Sequence, residues 1–360
     1  MTSLPPSENL LHPATNTPSS LHSKVDKPSP IVRVGDLCSG MGGMALAARQ
    51  LGMHVVVGVD SDASALRTFS KNFPEAESIQ GSIRSSRIIE RCATLLRPSE
   101  SGLSVLVSGP PCQGFSVAGS RKTSDPRNQI LMAVARAITS LAPDCALVEN
   151  VSAVLAEKHL KRLNRFYEVF NEGGYYVTSI VLDAANFGVA QKRKRAFFLA
   201  SRRPLEKDEV LRRVDVLKQT PVSVQSAFQD LPAAPVRPDD YDDEQDYEGV
   251  YNHFAMQHSQ RVIDKIAALL PGTGPMSYRR LSATRQSNTL FSGHRAPPAH
   301  FQVARSITVR EAARLQGFPD DFRVYGSFGN QMGQVTNAVP PPLARAVLRV
   351  LADLSGALGQ

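Results

Sequence analysis

The sequence lacks the features that define several large classes of protein. No apolar stretch reaches the roughly 18 residues that a membrane-spanning helix needs, and the first residues lack the apolar centre of a secretion signal. Four widely spaced cysteines, Cys38, Cys92, Cys112 and Cys145, form no CxxC pair, so neither a zinc site nor a disulfide framework is indicated. We therefore expect a cytoplasmic chain with reduced thiols and no metal site.

The composition is that of a globular protein with an excess of positive charge. The 360 residues are 42% hydrophobic and 21% charged, enough to bury one sizeable core and a second, smaller unit. Lys and Arg outnumber Asp and Glu by 41 to 33, which gives a net charge of +8. This excess favours a polyanionic partner, with nucleic acid ahead of an anionic membrane.

Short apolar runs alternate with longer amphipathic segments through the first half of the chain. Strands are predicted for residues 31–34, 54–59, 103–107, 146–148, 176–182 and 195–200, and helices for residues 44–51, 63–72, 129–141 and 160–170. The alternation predicts an α/β fold with a mostly parallel sheet. Residues 1–30 are rich in Ser, Pro, Thr and Asn with no apolar period, so we expect a disordered tail before the sheet.

The pattern changes after Arg203. Prolines, glycines and the acidic run Asp239 to Asp246 interrupt it, which predicts a second, looser domain over residues 204–305. The acidic run by itself is typical of a solvated loop. Regular structure returns near Thr308, and Pro341 or the next proline could start a last helix. The predicted organisation is a tail (1–30), a first domain (31–203), a second domain (204–305) and a C-terminal segment (306–360).

A glycine-dense turn and an acid follow the first two predicted strands. Gly40, Gly42 and Gly43 lie in VGDLCSGMGGMALA, where a bare backbone and a helix N-terminus can approach a nucleotide-like ligand. Asp60 ends the second strand, where a carboxylate can accept hydrogen bonds from ribose hydroxyls. These two features alone fit a dehydrogenase equally well, and a purely structural turn is a further alternative.

Three further motifs carry residues suited to chemistry, and the first two of them are expected at the same edge of the sheet as the glycine turn. In GPPCQGFS, Cys112 follows a buried strand and stands in a polar stretch, where a thiol is placed for reactivity; a small core residue that caps the strand is the alternative. In ALVENV, apolar neighbours would disfavour the charged form of Glu149, which could then act as an acid; a helix cap is the alternative. In QKRKR, Arg193 and Arg195 share one face of a strand and suit a phosphate or a base carbonyl; a basic edge strand is the alternative.

Taken together, the motifs resemble those of the DNA cytosine-5 methyltransferase family. In order, they are DLCSGMGG, VDSD, GPPCQGFS, DPRNQ, ENV, QKRKR, RSITVREAARLQGFPDDF and QVTNAVPPPLA. The resemblance covers residues 31–203 and 305–354, and that family has its variable target recognition domain in the tract between. It implies an α/β fold, a Rossmann-like methyltransferase sheet with a smaller target recognition domain. It also implies S-adenosylmethionine as cofactor and methylation of cytosine at carbon 5.

The resemblance assigns the catalytic roles. Cys112 would add to carbon 6 of a flipped-out cytosine, and carbon 5 would then receive the methyl group of S-adenosylmethionine. Glu149 would hydrogen-bond ring nitrogen 3 and the exocyclic amine, and Arg195 would hold the carbonyl oxygen. Arg193 would bind nearby polar groups. Because the base has to leave the duplex, we expect the polar loop after Cys112 to close over the DNA. The expected DNA contacts in this loop are Gln113, Ser116 and Arg121.

The resemblance also assigns a cofactor site. The residues expected at the methionine end are Asp36, Ser39, Gly40, Met41 and Gly43. Asp60 is expected on the ribose and Pro110 near the sulfonium. The site is completed by Ser61 and Ile83 and, from the far end of the chain, by Asn337 and Ala338.

Three residues of this site depart from the family pattern. Cys38 replaces a phenylalanine that lies against the adenine, Ser82 replaces an aspartate that receives the adenine amine, and Thr336 replaces a glycine. Loss of an aromatic contact and of a charge-assisted hydrogen bond would each cost on the order of 1 kcal/mol. We therefore expect weaker cofactor binding with the same chemistry.

The remaining predictions concern the substrate and the partners. The expected base or phosphate contacts outside the catalytic loop are Arg279, Arg280, Arg285, His294 and Arg295. Ordinary surface loops are the alternative for each of them. The expected partner is double-stranded DNA, bound by a monomer that is either paired with a separate restriction endonuclease or solitary. Two alternatives stay open: a cytosine-5 methyltransferase acting on RNA, and a DNA-binding regulator with weak turnover.

Overall fold

A computed structural model describes residues 31–97, 102–111, 129–275, 278–291 and 297–356. The predicted tail, residues 1–30, lies outside the described residues. So do six of the predicted site residues: Cys112, Gln113, Ser116, Arg121, His294 and Arg295. Among the helices that the structure describes, none combines the length and the apolar character required to cross a membrane.

The centre of the fold is a seven-stranded sheet. Its strands are β1 (Val32–Leu37), β2 (His54–Asp60), β3 (Glu77–Gln80), β4 (Leu103–Ser108), β5 (Cys145–Val151), β6 (Tyr176–Asp183) and β7 (Lys194–Ser201). They are arranged in the order β3-β2-β1-β4-β5-β7-β6. Strands β1 to β5 pair in parallel, whereas β7 runs antiparallel to both β5 and β6. The predicted α/β fold with a mostly parallel sheet is confirmed.

The helices flank the sheet and continue towards the C-terminus. They are α1 (Gly43–Gln50), α2 (Ala63–Asn72), α3 (Ser86–Leu96), α4 (Ile130–Leu141), α5 (Leu160–Glu172), α6 (Lys207–Val216), α7 (Val224–Ala227), α8 (Gln260–Ala267), α9 (Val309–Leu315), α10 (Phe328–Asn337) and α11 (Pro341–Ser355). A two-stranded hairpin pairs β8 (Asp246–Tyr247) with β9 (Val250–Tyr251), and 3-10 turns span Ser152–Leu155, Glu157–His159 and Ala184–Phe187.

Local sequence signals explain where several helices begin. The Asp62 side chain caps α2 by accepting hydrogen bonds from two backbone amides of its first turn. Thr308 and Glu311 form a reciprocal capping box at the start of α9, the signature of the letters TVRE. Pro341 occupies the first turn of α11, where its missing N–H costs nothing, and this prediction is confirmed.

Two apolar layers bury the faces of the sheet. Helices α1, α2, α6 and α11 contribute to the core on one face, and helices α3, α4 and α5 to the core on the other. Helix α11 packs against α1, so the C-terminal segment lies beside the first βα unit. Because β1, β2, β4 and β5 pair in parallel, their carboxyl ends open onto one edge of the sheet.

Part of the tract 204–305 packs on the sheet instead of standing apart. Helix α6 contacts β6 and α11. Further along, the amide of Asn252 pairs with the backbone of Val324, donating at 2.7 Å and accepting at 2.9 Å. The tract is thus attached at two places: α6 packs on β6 and α11, and Asn252 binds the C-terminal segment at Val324.

Candidate active site

The site lies where the parallel strands end. Leu37, Asp60, Ser108 and Val151 are the last residues of β1, β2, β4 and β5, and β1 lies between β2 and β4. Ligands of open α/β sheets bind in the crevice outside these carboxyl ends. All the motif residues that the structure describes in the glycine turn, the PPC motif and the ENV motif are at this edge.

The glycine turn has a backbone conformation that leaves one side open. Cys38, Gly40 and Gly42 have φ angles of 60°, 52° and 98°, in the left-handed region. The turn is held by hydrogen bonds from the Ser39 amide to the Val59 carbonyl and from the Gly42 amide to the Ser39 carbonyl. A Cβ placed on Gly40 would have no described atom within 4 Å, so a ligand can approach the backbone there.

Two carboxylates lie beside this turn. Asp60 accepts hydrogen bonds from the Gly40 amide at 2.7 Å and from the Asp62 amide at 2.9 Å. Asp36 is buried and accepts from the Ala45 amide at 3.1 Å. Burial raises the pKa of both carboxyls, and their mutual repulsion raises that of Asp36 further. Each oxygen of Asp60 keeps a lone pair that could accept from a ligand hydroxyl.

Ser39 supplies an independent sign that a polar ligand belongs here. Its hydroxyl is buried and has no hydrogen-bond partner among the described residues. A buried polar atom in that state is costly unless a ligand satisfies it. Together with the open face of Gly40 and the acceptors of Asp60, it fits the amino-acid and ribose groups expected of S-adenosylmethionine.

The other predicted cofactor residues surround the same turn with different exposures. Met41, Gly43, Ile83 and Pro110 are buried, Cys38 and Ala338 are half-buried, and Ser61, Ser82 and Asn337 are exposed. Burial raises the pKa of the Cys38 thiol, so this residue is neutral near pH 7. The Ser82 hydroxyl accepts a hydrogen bond from the Arg84 amide at 3.3 Å. Because Ser82 is exposed, a ligand can still reach its hydroxyl at the rim of the site.

Glu149 and Arg195 form a buried ion pair. The Nε atom of Arg195 lies 2.7 Å from Oε1 of Glu149, and their side chains are 11% and 8% exposed. The antiparallel register places Arg195 opposite Val151, so the two charged side chains are diagonal neighbours on one face of the sheet. Burial raises the pKa of Glu149 although the charges of Arg195 and Arg193 lower it. The turn that follows β5 has Val151 at its N-cap and no side-chain cap, so Glu149 is not a helix cap. Strand β7 lies between β5 and β6, so the alternative of a basic edge strand is wrong as well.

Arg193 connects this pair to the C-terminal segment. Its guanidinium donates to the Ala338 carbonyl at 3.1 Å, and its backbone amide donates to Asp183 at 2.9 Å. Arg193 and Arg195 are both buried, whereas the intervening Lys194 is exposed. Arg193 precedes the first residue of β7, so the predicted sharing of one strand face by the two arginines stays a prediction.

The chain that leads to Cys112 runs past Glu149. A Cβ on Gly109 would lie 3.9 Å from Oε2 of Glu149, and the Asn150 amide donates to the Pro110 carbonyl at 3.3 Å. Pro110 is buried, and Pro111, the last described residue before the gap, is exposed. The distances from Cys112 itself to Glu149 and Arg195 lie outside the described residues and stay a prediction.

Three of the predicted DNA contacts lie in the described chain. Arg279 and Arg285 are exposed. Arg280 is half-buried, and its guanidinium donates to the carbonyls of Leu269 at 2.8 Å and Gln302 at 3.0 Å. Arg280 thereby joins two loops, while the roles of all three in binding DNA stay predictions.

Two residues of the motifs do more than the sequence indicated. The sequence assigns no role to Asn150, yet its side-chain amide ties β5 to the PPC loop. Gln191, the first residue of QKRKR, is fully buried, and its Oε1 accepts from the Leu290 amide at 3.0 Å. Lys192 and Ser287 extend this contact through a backbone hydrogen bond of 2.9 Å. The sequence signal for both residues is an uncharged amide within a charged motif, since such a side chain can hydrogen-bond when it is buried.

Comparison with known proteins agrees with this geometry. The family model described as C-5 cytosine-specific DNA methylase matches residues 32–353. The Type II methyltransferase M.DdeI of Desulfomicrobium norvegicum is 31% identical, over 87% of this chain and 86% of its own. The Type II methyltransferase M.XorII of Xanthomonas oryzae pv. oryzae is 30% identical, over 87% of this chain and 82% of its own.

Solved structures share the fold. A protein encoded within an E. coli prophage and described as a DNA modification methyltransferase superposes with a TM-score of 0.75 and 26% identity, over 90% of this chain and 99% of that one. The Dnmt2 methyltransferase of S. pombe superposes with a TM-score of 0.59 at 16% identity, over 89% of this chain and 98% of that one, which concerns the fold alone. From the family match across the glycine turn, the Glu149–Arg195 pair and the C-terminal helices, we conclude that the chain belongs to the C-5 cytosine-specific DNA methylase family.

Proposed function

We propose that the protein methylates carbon 5 of a flipped-out cytosine in a specific duplex DNA sequence through a covalent adduct on Cys112. Membership of the family makes the chain a DNA cytosine-5 methyltransferase that uses S-adenosylmethionine, and it favours DNA over RNA and an enzyme over a regulator. The adduct, base flipping and the individual residue roles are the proposal. The single observation that carries them is the buried Glu149–Arg195 pair beside the chain that leads to Cys112.

The chemistry requires a nucleophile because cytosine carbon 5 is unreactive in the intact ring. The Cys112 thiolate forms a bond to carbon 6, and the electrons of the 5,6 double bond pass to the ring, where carbon 5 becomes nucleophilic. When bound, S-adenosylmethionine supplies an electrophilic methyl group on its sulfonium. Loss of the carbon 5 proton to a base then restores the double bond and releases the thiolate.

Glu149 and Arg195 would stabilise the charge that develops on the base. A Glu149 carboxyl with a raised pKa can donate a hydrogen bond to ring nitrogen 3 when carbon 6 is attacked. Arg195 has guanidinium nitrogens beyond its bond to Glu149 and can donate to the carbonyl oxygen of the base. Because both groups are already fixed on adjacent strands, little reorganisation is needed during the reaction.

The cofactor residues fit the same scheme. Ser39 and the open backbone at Gly40 would bind the amino-acid end, and Asp60 would accept from the ribose hydroxyls. Arg193 would hold the segment of Ala338 next to this site. Within residues 204–305, we assign target recognition to the part that contains Arg279, Arg285 and the segment 287–290, which lies against the start of β7.

A trapping experiment tests the proposal. Incubation with duplex DNA that contains 5-fluorocytosine and with S-adenosylmethionine should give a covalent protein–DNA complex, because fluorine cannot leave as a proton does. Cys112→Ser should give none and should still bind DNA. A complex formed by Cys112→Ser, or its absence with the wild-type protein, would rule out the adduct.

Sequencing defines the target. Bisulfite sequencing of DNA from a host that expresses the protein should reveal one methylated sequence motif, and transfer RNA should not compete with duplex DNA in a labelled methyl-transfer assay. We propose that the protein acts as a monomer in a restriction–modification system or as a solitary methylase. Both of the relatives named above are Type II methyltransferases, which supports this range.

A further inference from the structure

The acidic run is bound to the surface of the sheet domain, in contrast to the solvated loop that its composition indicates. The Asp243 carboxylate accepts two hydrogen bonds from the Arg67 guanidinium on α2, at 2.7 and 3.0 Å, and its side chain is only 11% exposed. Glu244 lies 3.2 Å from the Lys71 ammonium, one turn further along α2. Two ion pairs therefore dock the run on α2.

Asp243 also holds the loop that precedes α10. Its Oδ2 atom accepts a hydrogen bond of 2.5 Å from the Gly326 amide. Gly326 has a φ angle of 111°, and a Cβ at this position would come within 2.7 Å of the Ser64 hydroxyl. Only glycine allows this close approach, so the carboxylate fixes a backbone segment directly against the start of α2.

From Ser64 the contacts continue to the cofactor site. Its hydroxyl accepts from the Gln334 amide on α10 at 3.1 Å, and its backbone amide donates to the Asp62 cap at 2.9 Å. The Asp62 amide donates to Asp60 at 2.9 Å, and the other Asp60 oxygen accepts from Gly40 at 2.7 Å. The Gln334 amide also donates to the carbonyl of Tyr325, the neighbour of Gly326, at 2.9 Å. Asp243 is thus linked to the glycine turn through Gly326, Tyr325, Gln334 and Ser64.

We propose that Asp243 is a positioning residue for the cofactor. By fixing Gly326 against α2, it holds the first turn of α2, and with it Asp60, in the arrangement that receives the ribose. Asp243 does not touch the glycine turn itself, so its loss should weaken cofactor binding and leave the chemical step intact. This inference rests on the cofactor site proposed above.

Calorimetry on a matched set of variants tests the inference. Asp243→Ala removes both the ion pair and the acceptor for Gly326, whereas Asp243→Asn and Arg67→Gln remove the ion pair and keep an acceptor. We expect the Kd for S-adenosylmethionine to rise about tenfold for Asp243→Ala and about threefold for the other two, since partly exposed pairs contribute modestly. Asp240→Ala, an exposed residue of the same run, should bind as the wild type does.

Steady-state kinetics separates positioning from general loss of structure. The KM for S-adenosylmethionine should rise in the Asp243 variants, while the KM for DNA and kcat at saturating cofactor should stay within about twofold. Wild-type affinity in Asp243→Ala, or an equal loss in both KM values and kcat, would overturn the inference alone. Failure of the wild-type protein to bind S-adenosylmethionine would overturn the proposed cofactor site together with it. If Asp243→Ala does not fold, Asp243→Asn and Arg67→Gln carry the same comparison.

Discussion

Arg195 and Glu149 lie 2.7 Å apart on neighbouring antiparallel strands, and both side chains are almost fully buried. Removal of two charges from water is costly, and a buried pair of this kind is weak evidence for stability alone. Its position beside Gly109, at the carboxyl edge of the sheet, gives it a chemical use. The pair is therefore the first target for mutation.

Glu149→Gln should lower kcat for DNA methylation by a factor of about 10² to 10⁴. The reason is that a glutamine amide, unlike a carboxylic acid, cannot transfer a proton towards ring nitrogen 3 of the cytosine. The variant has nearly the same shape, so circular dichroism should show a folded protein. Glu209→Gln, which removes a carboxylate from the exposed ion pairs of α6, is the matched control and should retain full activity. An active Glu149→Gln enzyme would contradict the assigned role.

Gly43→Ala should damage the cofactor site by a purely steric route. A Cβ at Gly43 would collide with the backbone carbonyl of Val339, which cannot move as a flexible side chain can. We expect weaker S-adenosylmethionine binding and a lower melting temperature, since Gly43 begins α1 and Val339 precedes α11. Gly329→Ala, on α10 with open space around it, is the control for the substitution itself. Equal melting temperatures for the two variants would refute the close packing of the C-terminal segment on α1.

Much of the sheet could be predicted because β1, β2, β4, β5 and β7 are largely buried and appear as apolar runs. The edge strand β6 also has enough apolar residues to be recognised, although Tyr176 and Val181 are exposed. The exception is β3, an edge strand of four residues in which Ile79 is the single apolar side chain. Helix α3 was also missed, although Ile88, Cys92 and Leu95 have the spacing of an amphipathic helix. The sequence signal for β3 is weak, because a single apolar side chain shows no alternation. The signal for α3 is present in the spacing of its apolar residues.

The site was predicted as far as motif order allowed. The prediction for Glu149 is the one that strand direction explains, because the carboxyl ends of parallel strands converge at one edge. Arg193 and Arg195 reach the same edge because β7 runs antiparallel to β5, and the sequence pattern does not indicate that reversal. The attachment of Asp243 to Arg67 could not be predicted, since 176 positions separate them and an acidic run carries no information about its partner. Long-range pairs of this kind depend on how the loop before α10 is routed over α2.

Three histidines around the Arg305–Glu311 ion pair predict a pH-dependent stability. Burial lowers the pKa of His253 and His258, and that of His300 to about 4. Glu311 faces His300 and opposes this shift, whereas Arg305 and Arg280 add to it. Each of these histidines therefore binds a proton less readily in the folded protein than in the unfolded chain, where the pKa is about 6.5.

The sign of the effect follows from proton binding. At His300, the unfolded chain binds more protons between about pH 6.5 and 4, so the contribution of this residue to stability is complete above pH 6.5 and is lost as the pH falls. The raised pKa values of Asp36, Asp60 and Glu149 act in the opposite direction. The comparison of wild type with His300→Gln isolates the histidine. The free energy of unfolding, measured in urea, should fall between pH 7 and pH 5 for both proteins. The fall should be about 1–2 kcal/mol smaller for His300→Gln than for the wild type. Identical losses would contradict the burial of a neutral His300.

Ser82→Asp should strengthen cofactor binding. Ser82 is exposed at the rim of the site, next to Gly81, whose amide donates to the Asp60 carbonyl at 2.9 Å. The family pattern has an aspartate that receives the adenine amine at this position, and a carboxylate acceptor makes a stronger hydrogen bond than a hydroxyl. We expect the Kd for S-adenosylmethionine to fall by a factor of about 5 to 10, with kcat unchanged. Asn171→Asp, on the exposed surface of α5, adds the same charge away from the site and should leave the Kd unchanged. If Ser82→Asp does not tighten binding, residue 82 does not face the adenine in this protein, and the weak point of the cofactor site has to be sought at Cys38 instead.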